Sequence, residues 1–402
     1  MTNIARVGTA SMYDSSVRNI NSRQSNLVDL MDKITAGKRV LRASDDPVAA
    51  AQAERARTRL TRMETDQRML DAQTATIKYG ESTLGEINAA VQEFRSLLVQ
   101  AGNGTYNQTQ RDTLVEQLTS LRDQILKYSN RTDSNGLPLF RGLDTESSMP
   151  FPNGGQGIQS GQPNSNEYTI TNSLDGALAF FSGKTGNGVL AVEIGAGNTG
   201  AAWADAGTIR DPAAATALTT PIDITFQAGA NGMEYSTDGG TTWASYKSGD
   251  AISVAGMDLV ITGEPKAGDT FTVKPSESMS IFDTLSQAIA TVKNSGNSDG
   301  TTDHGALAHG LAKSLAEIDT QLNRVSTVRG VAGDLLNQAE RMGNTLLARN
   351  EQVEAQRVAA EDYDAEGMVK ALSQLKTQET AVSAALQSYA SIQKLSLFNY
   401  IN

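Results

Sequence analysis

Apolar residues recur near both ends of the chain in alternating steps of four and three. Tyr13, Val17, Ile20, Leu27, Met31 and Ile34 follow this rhythm, broken only at Gln24, which is the narrow stripe of a helix that packs on another helix. Gly37 ends the run, as glycine tolerates the left-handed turn that follows many helices. Met63, Leu70, Ile77, Leu84, Val91 and Leu98 then repeat at a strict seven-residue step, with Leu60, Ile87 and Phe94 filling a second seam. The pattern predicts a long helix from Pro47 to about Ala101, loosened or bent at Gly80 and Gly85, each of which costs about 1 kcal/mol relative to alanine. A third helix carries Leu114, Leu118, Leu121, Ile125 and Tyr128 and stops near the turn-rich "SNRTDSNG" at Ser129.

The far end mirrors the beginning. Leu311, Leu315, Ile318, Leu322, Val325, Ala332, Leu336, Ala339 and Leu346 keep the rhythm with Arg329 as the misfit, and Met368, Leu372, Leu375, Val382, Leu386 and Tyr389 keep it with Glu379 as the misfit. Between these ends the chain is dense in Gly, Asn, Ser and Thr, and "PIDITFQ", "GMEYS", "TTWASY", "MDLVIT" and "DTFTVKP" alternate with period two, which reads as antiparallel sheet. A helix from Pro47 to Ala101 would be about 80 Å long, whereas a compact globule of this chain length would be about 55 Å across. The expected fold is therefore mainly α with an inserted β-rich domain: an elongated antiparallel helical rod whose terminal helices form a coiled coil in an assembly. The expected domains are a terminal helical polymerisation domain (1–37 and 377–402), a helical rod (38–142 and 276–376) and an inserted β-rich outer domain (143–275).

Composition removes several kinds of chemistry. The 402 residues carry a formal net charge of −11 and no cysteine, which argues against a binder held by nucleic-acid phosphates and excludes disulfides and thiolate metal sites. The two histidines, His304 and His309, are not spaced to share a helix face, so no metal site is expected. "GKTGNG" at Gly183 lacks the earlier glycine of a phosphate-binding loop and reads as a flexible loop. Arg55, Arg59 and Arg62 share a helix face beside Glu54, Glu64 and Asp66, a solvated or subunit-contacting surface. A polysaccharide-active site built from Glu234, Asp238, Trp243 and Asp250 in the β-rich region is the enzymatic rival. Catalytic and cofactor residues are otherwise not expected. In "GKRVLRASDDPVAAAQA", Ser44, Asp45 or Asp46 can cap the next helix, with Pro47 in its first position.

That same stretch resembles the link between the outer terminal helix and the first long helix in the flagellin superfamily. Asp45-Asp46-Pro47-Val48-Ala49-Ala50 resembles the hook-filament junction branch, the third hook-associated proteins, whereas flagellins usually continue Asp-Asp-Ala-Ala-Gly. "NGLPLFRG" from Asn135, with Pro138 where the family tends to carry an aromatic, and the terminal "LSLFNYIN" agree with it. The resemblance implies a structural, non-enzymatic subunit that adapts the hook, through the first hook-associated protein, to flagellin; the alternative is a flagellin-like filament subunit. It further implies a ring of like subunits, an export chaperone on the C-terminal segment, and export through the flagellum's own type III apparatus. No cleaved signal and no membrane insertion are expected. The assembly interface would run along Tyr13, Val17, Ile20, Leu27, Met31 and Ile34, and along Val382, Leu386, Tyr389 and Leu395.

Overall fold

The computed structural model describes residues 9–140, 163–165, 168–169, 173–294 and 304–398. In chain order the elements are α1 (Thr9–Ala36), α2 (Pro47–Ala101), α3 (Gln108–Ser129), a hairpin of β1 (Pro163–Ser165) and β2 (Tyr168–Thr169), and α4 (Gly176–Phe180). Next come β3 (Gly183–Lys184), β4 (Leu190–Ile194), β5 (Trp203–Ala204), β6 (Thr208–Ile209), α5 (Pro212–Ala217), β7 (Ile222–Gly229), β8 (Gly232–Ser236), β9 (Ala244–Ser245) and β10 (Ala251–Val254). The chain closes with β11 (Met257–Thr262), β12 (Thr270–Pro275), β13 (Ser278–Met279), α6 (Ile281–Lys293), α7 (His304–Glu361) and α8 (Ala365–Phe398). Contacts divide it into a terminal unit, residues 1–68 with 342–402, and a central unit, residues 69–341.

In the central unit the seven-residue seam of α2 is the core. Leu70, Ile77, Leu84, Val91 and Leu98 are all buried, as are Leu311, Ile318, Val325, Ala332 and Ala339 of α7. Polar pairs flank these seams and fix their direction. Arg95 donates to both carboxylate oxygens of Asp319, Asn88 to Ser326 Oγ, and Arg329 to Glu81 Oε1 at 2.6 Å, so the helices run antiparallel. Arg329 breaks the apolar rhythm because it sits beside the seam as the partner of Glu81. Gly80 also has a tertiary reason. A Cβ there would lie 2.9 Å from Leu174 Cδ1, and the helix runs on through both glycines without interruption.

α3 begins with a capping box, Asn107 accepting from Gln110 N while Gln110 returns the contact to Asn107 N. It buries Leu114, Leu118, Leu121 and Ile125 and packs against α6, an amphipathic helix that the periodicity did not separate from its neighbours. The strands form two main antiparallel sheets, ordered β4-β12-β7-β8-β9 and β10-β11-β5. Phe226, Phe271, Ile224 and Val192 meet Leu259, Ile261 and Met257 in their shared core. Of the alternating runs, "TTWASY" keeps only two strand residues, because Ser236, Thr241 and Thr242 gather around the Asp238 carboxylate and turn the chain first. β4 escaped notice for the opposite reason: Leu190, Ala191 and Val192 are buried in succession, so no alternation marks them.

Leu84→Ala should destabilise the central unit by about 3 kcal/mol through lost burial and a cavity, while Arg329→Ala should cost less than about 1 kcal/mol as the loss of an exposed pair. Urea unfolding monitored by helical circular dichroism separates the two outcomes.

Candidate functional site

The terminal unit is built on α1 and α8, which pack together along their lengths. Tyr13 near the start of α1 meets Tyr389 near the end of α8, with hydroxyls 2.6 Å apart and ring centroids 5.4 Å apart. At the opposite end Tyr363 N, just before α8, donates to Gly37 O, just after α1. The pair is therefore antiparallel. It covers its own apolar stripe only in part. Ile20 is buried, and Val17, Leu27, Ile34, Val382 and Tyr389 are half-buried. Tyr13, Met31 and Leu386 remain 41%, 51% and 45% exposed. Leu372 on α8 is also exposed. Leu395 belongs to α8, but its side chain lies outside the described residues.

Gly37 ends α1 with φ near +68°, donating to Ile34 O while Lys38 N reaches back to Lys33 O, the double bond of a glycine-terminated helix. The two aspartates that follow divide their work. Asp46 Oδ1 accepts from Val48 N and Ala49 N, which makes it the cap of α2, with Pro47 in the first helical position. Asp45 Oδ2 accepts from Leu41 N and Arg42 N, and its other oxygen pairs with Lys33 Nζ at 3.0 Å, tying the link back to α1. The Arg42 amide and then Lys33 hold the Asp45 carboxyl below the usual carboxylate range. The Ala49 amide and then Arg39 do the same for Asp46. Ser44 is exposed.

The link is held by a residue that sequence reasoning did not single out. Glu361, at the end of α7, is almost fully buried, and its carboxylate meets Lys38 Nζ at 3.1 Å together with the guanidinium groups of Arg57 and Arg357. Its carbonyl accepts from Arg39 N and Val40 N. Arg39 Nη2 also donates to Ala360 O. Burial opposes ionisation of Glu361, but Lys38 first, then Arg57 and Arg357, outweigh it and bring its pKa below the ordinary 4.5. A carboxylate in the last turn of a helix works against the helix dipole. That misplaced charge, set opposite the basic run Lys38-Arg39, was the available signal.

Elsewhere the candidates for chemistry do not converge. Arg55, Arg59 and Arg62 are exposed. Gly183 and Lys184 form β3, a paired strand rather than a free loop. Glu234 accepts from Gln227 across the hairpin, and Asp250 pairs with Lys247. Thr242 and then Ser236 hold the Asp238 carboxyl well below the usual range, and Trp243 Nε1 donates to Gly240 O within the same turn. Each group satisfies its own turn or strand. No cluster of three or more metal-ligating side chains occurs among the described residues, and none of the described helices is long and apolar enough to cross a membrane.

Paired helices from the two ends of the chain, a helical core and a β-rich insertion are the architecture of flagellin-type subunits, and three comparisons point to similarity with that class. Residues 7–145 match the bacterial flagellin N-terminal helical region. The flagellar hook-associated protein 3 of Salmonella typhimurium is 33% identical over 183 residues, 45% of this chain and 55% of that protein. A solved structure of flagellar hook-associated protein 3 from Legionella pneumophila superposes with a TM-score of 0.66 at 25% identity, covering 75% of this chain and 98% of the other. The Xanthomonas campestris FlgL structure, at 23% identity and TM-score 0.65 over 76% and 99% of the two chains, shares the fold. The chain is similar to the hook-associated protein 3 branch of the flagellin superfamily. It spans about half the length of the curated relatives it matches.

Two outcomes follow from the link. Glu361→Ala should cost about 3 kcal/mol, the low end for breaking a buried ion pair, because its three cations can turn toward water. Since the Glu361 pKa is lowered on folding, its contribution is complete above the unfolded value and is lost as pH falls through the folded one. Acid titration of Glu361→Gln should therefore be flatter than that of the wild type below about pH 4.5. Asp46→Ala should lower the melting temperature, and Asp46→Asn, which keeps an acceptor for the first-turn amides, should recover most of the loss; scanning calorimetry reads both.

Proposed function

We propose that this chain is a structural subunit of the bacterial flagellum at the hook-filament junction, adapting the hook to the flagellin filament, and that it catalyses no reaction. The half-covered α1–α8 pair carries the reading. A stripe that leaves Tyr13, Met31, Leu372 and Leu386 exposed is incomplete in one chain, and neighbouring copies with the same stripe complete it. The names of the matched relatives support the location. In this reading the terminal helices, 1–37 and 377–402, are the polymerising domain, 38–142 with 276–376 the rod, and 143–275 the outer insertion. The partners are the first hook-associated protein on one side, flagellin on the other, and a ring of like subunits. An export chaperone would cover the C-terminal stripe before assembly, and the subunit would be exported without a cleaved signal.

Electron microscopy of a strain lacking the gene should show hooks without filaments, with flagellin shed into the medium, and the full chain should restore attachment. A chain lacking 1–37 and 377–402, or one carrying Met31→Asp with Leu386→Asp, should fold yet fail to restore it. Restoration by the truncated chain would end the proposal.

A further inference from the structure

The sheet region meets α7 through a line of polar side chains. His309, Lys313, Glu317 and Gln321 stand four residues apart, hence on one face of the helix; the first three grip different parts of the insertion, and the last holds the strand and helix that follow it. His309 Nδ1 lies 3.0 Å from Ala204 O on β5 and so donates its proton there. Lys313 Nζ is 3.8 Å from Glu193 Oε1 on β4, a carboxylate that Lys274 on β12 also holds at 2.8 Å. Glu317 Oε1 accepts from Gly186 N at 3.2 Å. Gln321 Nε2 donates to Met279 O on β13 and to Thr284 Oγ1 on α6. Gly183 lies so close to Gln321 that a Cβ would stand 1.9 Å from its Nε2, so the last rung requires glycine.

His309, Glu317 and Gln321 are buried, and a cavity of about 330 Å³ lined by Glu193, Thr291, Lys313 and Ser314 runs beside them. This chemistry suits a contact that opens. An apolar seam exposed to water would cost its full burial energy, whereas polar rungs exchange protein partners for water at small net cost. The cavity places space for water next to the rungs.

We propose that this ladder is a releasable latch: the sheet region leaves α7 as a folded body, with acidification favouring release through His309 and the Glu317 carboxyl opposing it. The charged groups facing His309 and Glu317 are Lys313 on their own helix and Glu193 on β4, the latter backed by Lys274 on β12. Burial first, and then Lys313, lower the His309 pKa against the bonds to Ala204 and Val192 and the charge of Glu193. Release then takes up a proton as pH falls below the ordinary histidine value of 6.5. Burial raises the Glu317 pKa against the Gly186 amide and Lys313. Release then gives up a proton as pH rises above the ordinary 4.5. The two slopes oppose each other and are each limited to about tenfold per pH unit for one proton.

Amide exchange of the full chain, corrected for the intrinsic rate at each pH from 5 to 7.5, tests the latch at the segment containing Gly186. In Glu317→Gln, opening should increase as pH falls, by up to about tenfold per unit. In His309→Gln it should increase as pH rises, with the same bound. Gln321→Ala should raise opening at every pH. Residues 257–262 of β11 should stay protected in all three variants. Equal, flat profiles in the two titrating variants would overturn the proposal, and so would loss of β11 protection together with Gly186, since the sheet would then be unfolding rather than leaving intact.

Discussion

The carboxylate of Glu361 is the point on which the terminal unit depends. It is buried, and a buried charge without partners would be too costly to keep, so Lys38, Arg57 and Arg357 must be brought to it from the link, from α2 and from α7 itself. The backbone does the rest, with Arg39 N and Val40 N on the Glu361 carbonyl and Tyr363 N on Gly37 O. These bonds position the end of α1 against the start of α8. The Tyr13–Tyr389 contact at the other end follows from that register. The stripe that the pair leaves open is thus placed by an ionic junction at one end of the helices, far from Tyr13 and Leu386.

Two kinds of contact divide the central unit. α2 and α7 share an apolar seam with ion pairs such as Arg95–Asp319 at its margin, and most of its stability comes from area removed from water. Where α7 meets the sheet region, one face carries four polar side chains. Such a face gains specificity from geometry, and it remains soluble when uncovered. One helix therefore offers a permanent face and a wettable one.

The terminal pair shows how monomer stability and assembly can be separated. Ile20 and Ala371 are sealed within the pair, enough to set its register. Tyr13, Met31, Leu372 and Leu386 are left out, and the free energy of covering them is unused in one chain. A helix of this kind gains little stability by itself, because packing of the stripe supplies most of it.

Periodicity in the sequence determined where the long helices lie and which residues form their seams, because a seven-residue apolar step leaves a helix few other ways to bury its side chains. Alternation likewise marked β7, β8, β11 and β12, and the Gly-Lys-Arg to Asp-Asp-Pro stretch marked the start of α2. Short elements were not legible: β4 buries consecutive residues, and α6 is a 13-residue helix against α3. Neither was the division of labour between Asp45 and Asp46, since either carboxylate can cap a helix and only the position of Lys33 separates them. The partners of Glu361 and of the four rungs of α7 belong to tertiary structure alone. They lie up to 323 residues away in the chain, and a local pattern carries no information about which distant charge or carbonyl will arrive beside a given side chain.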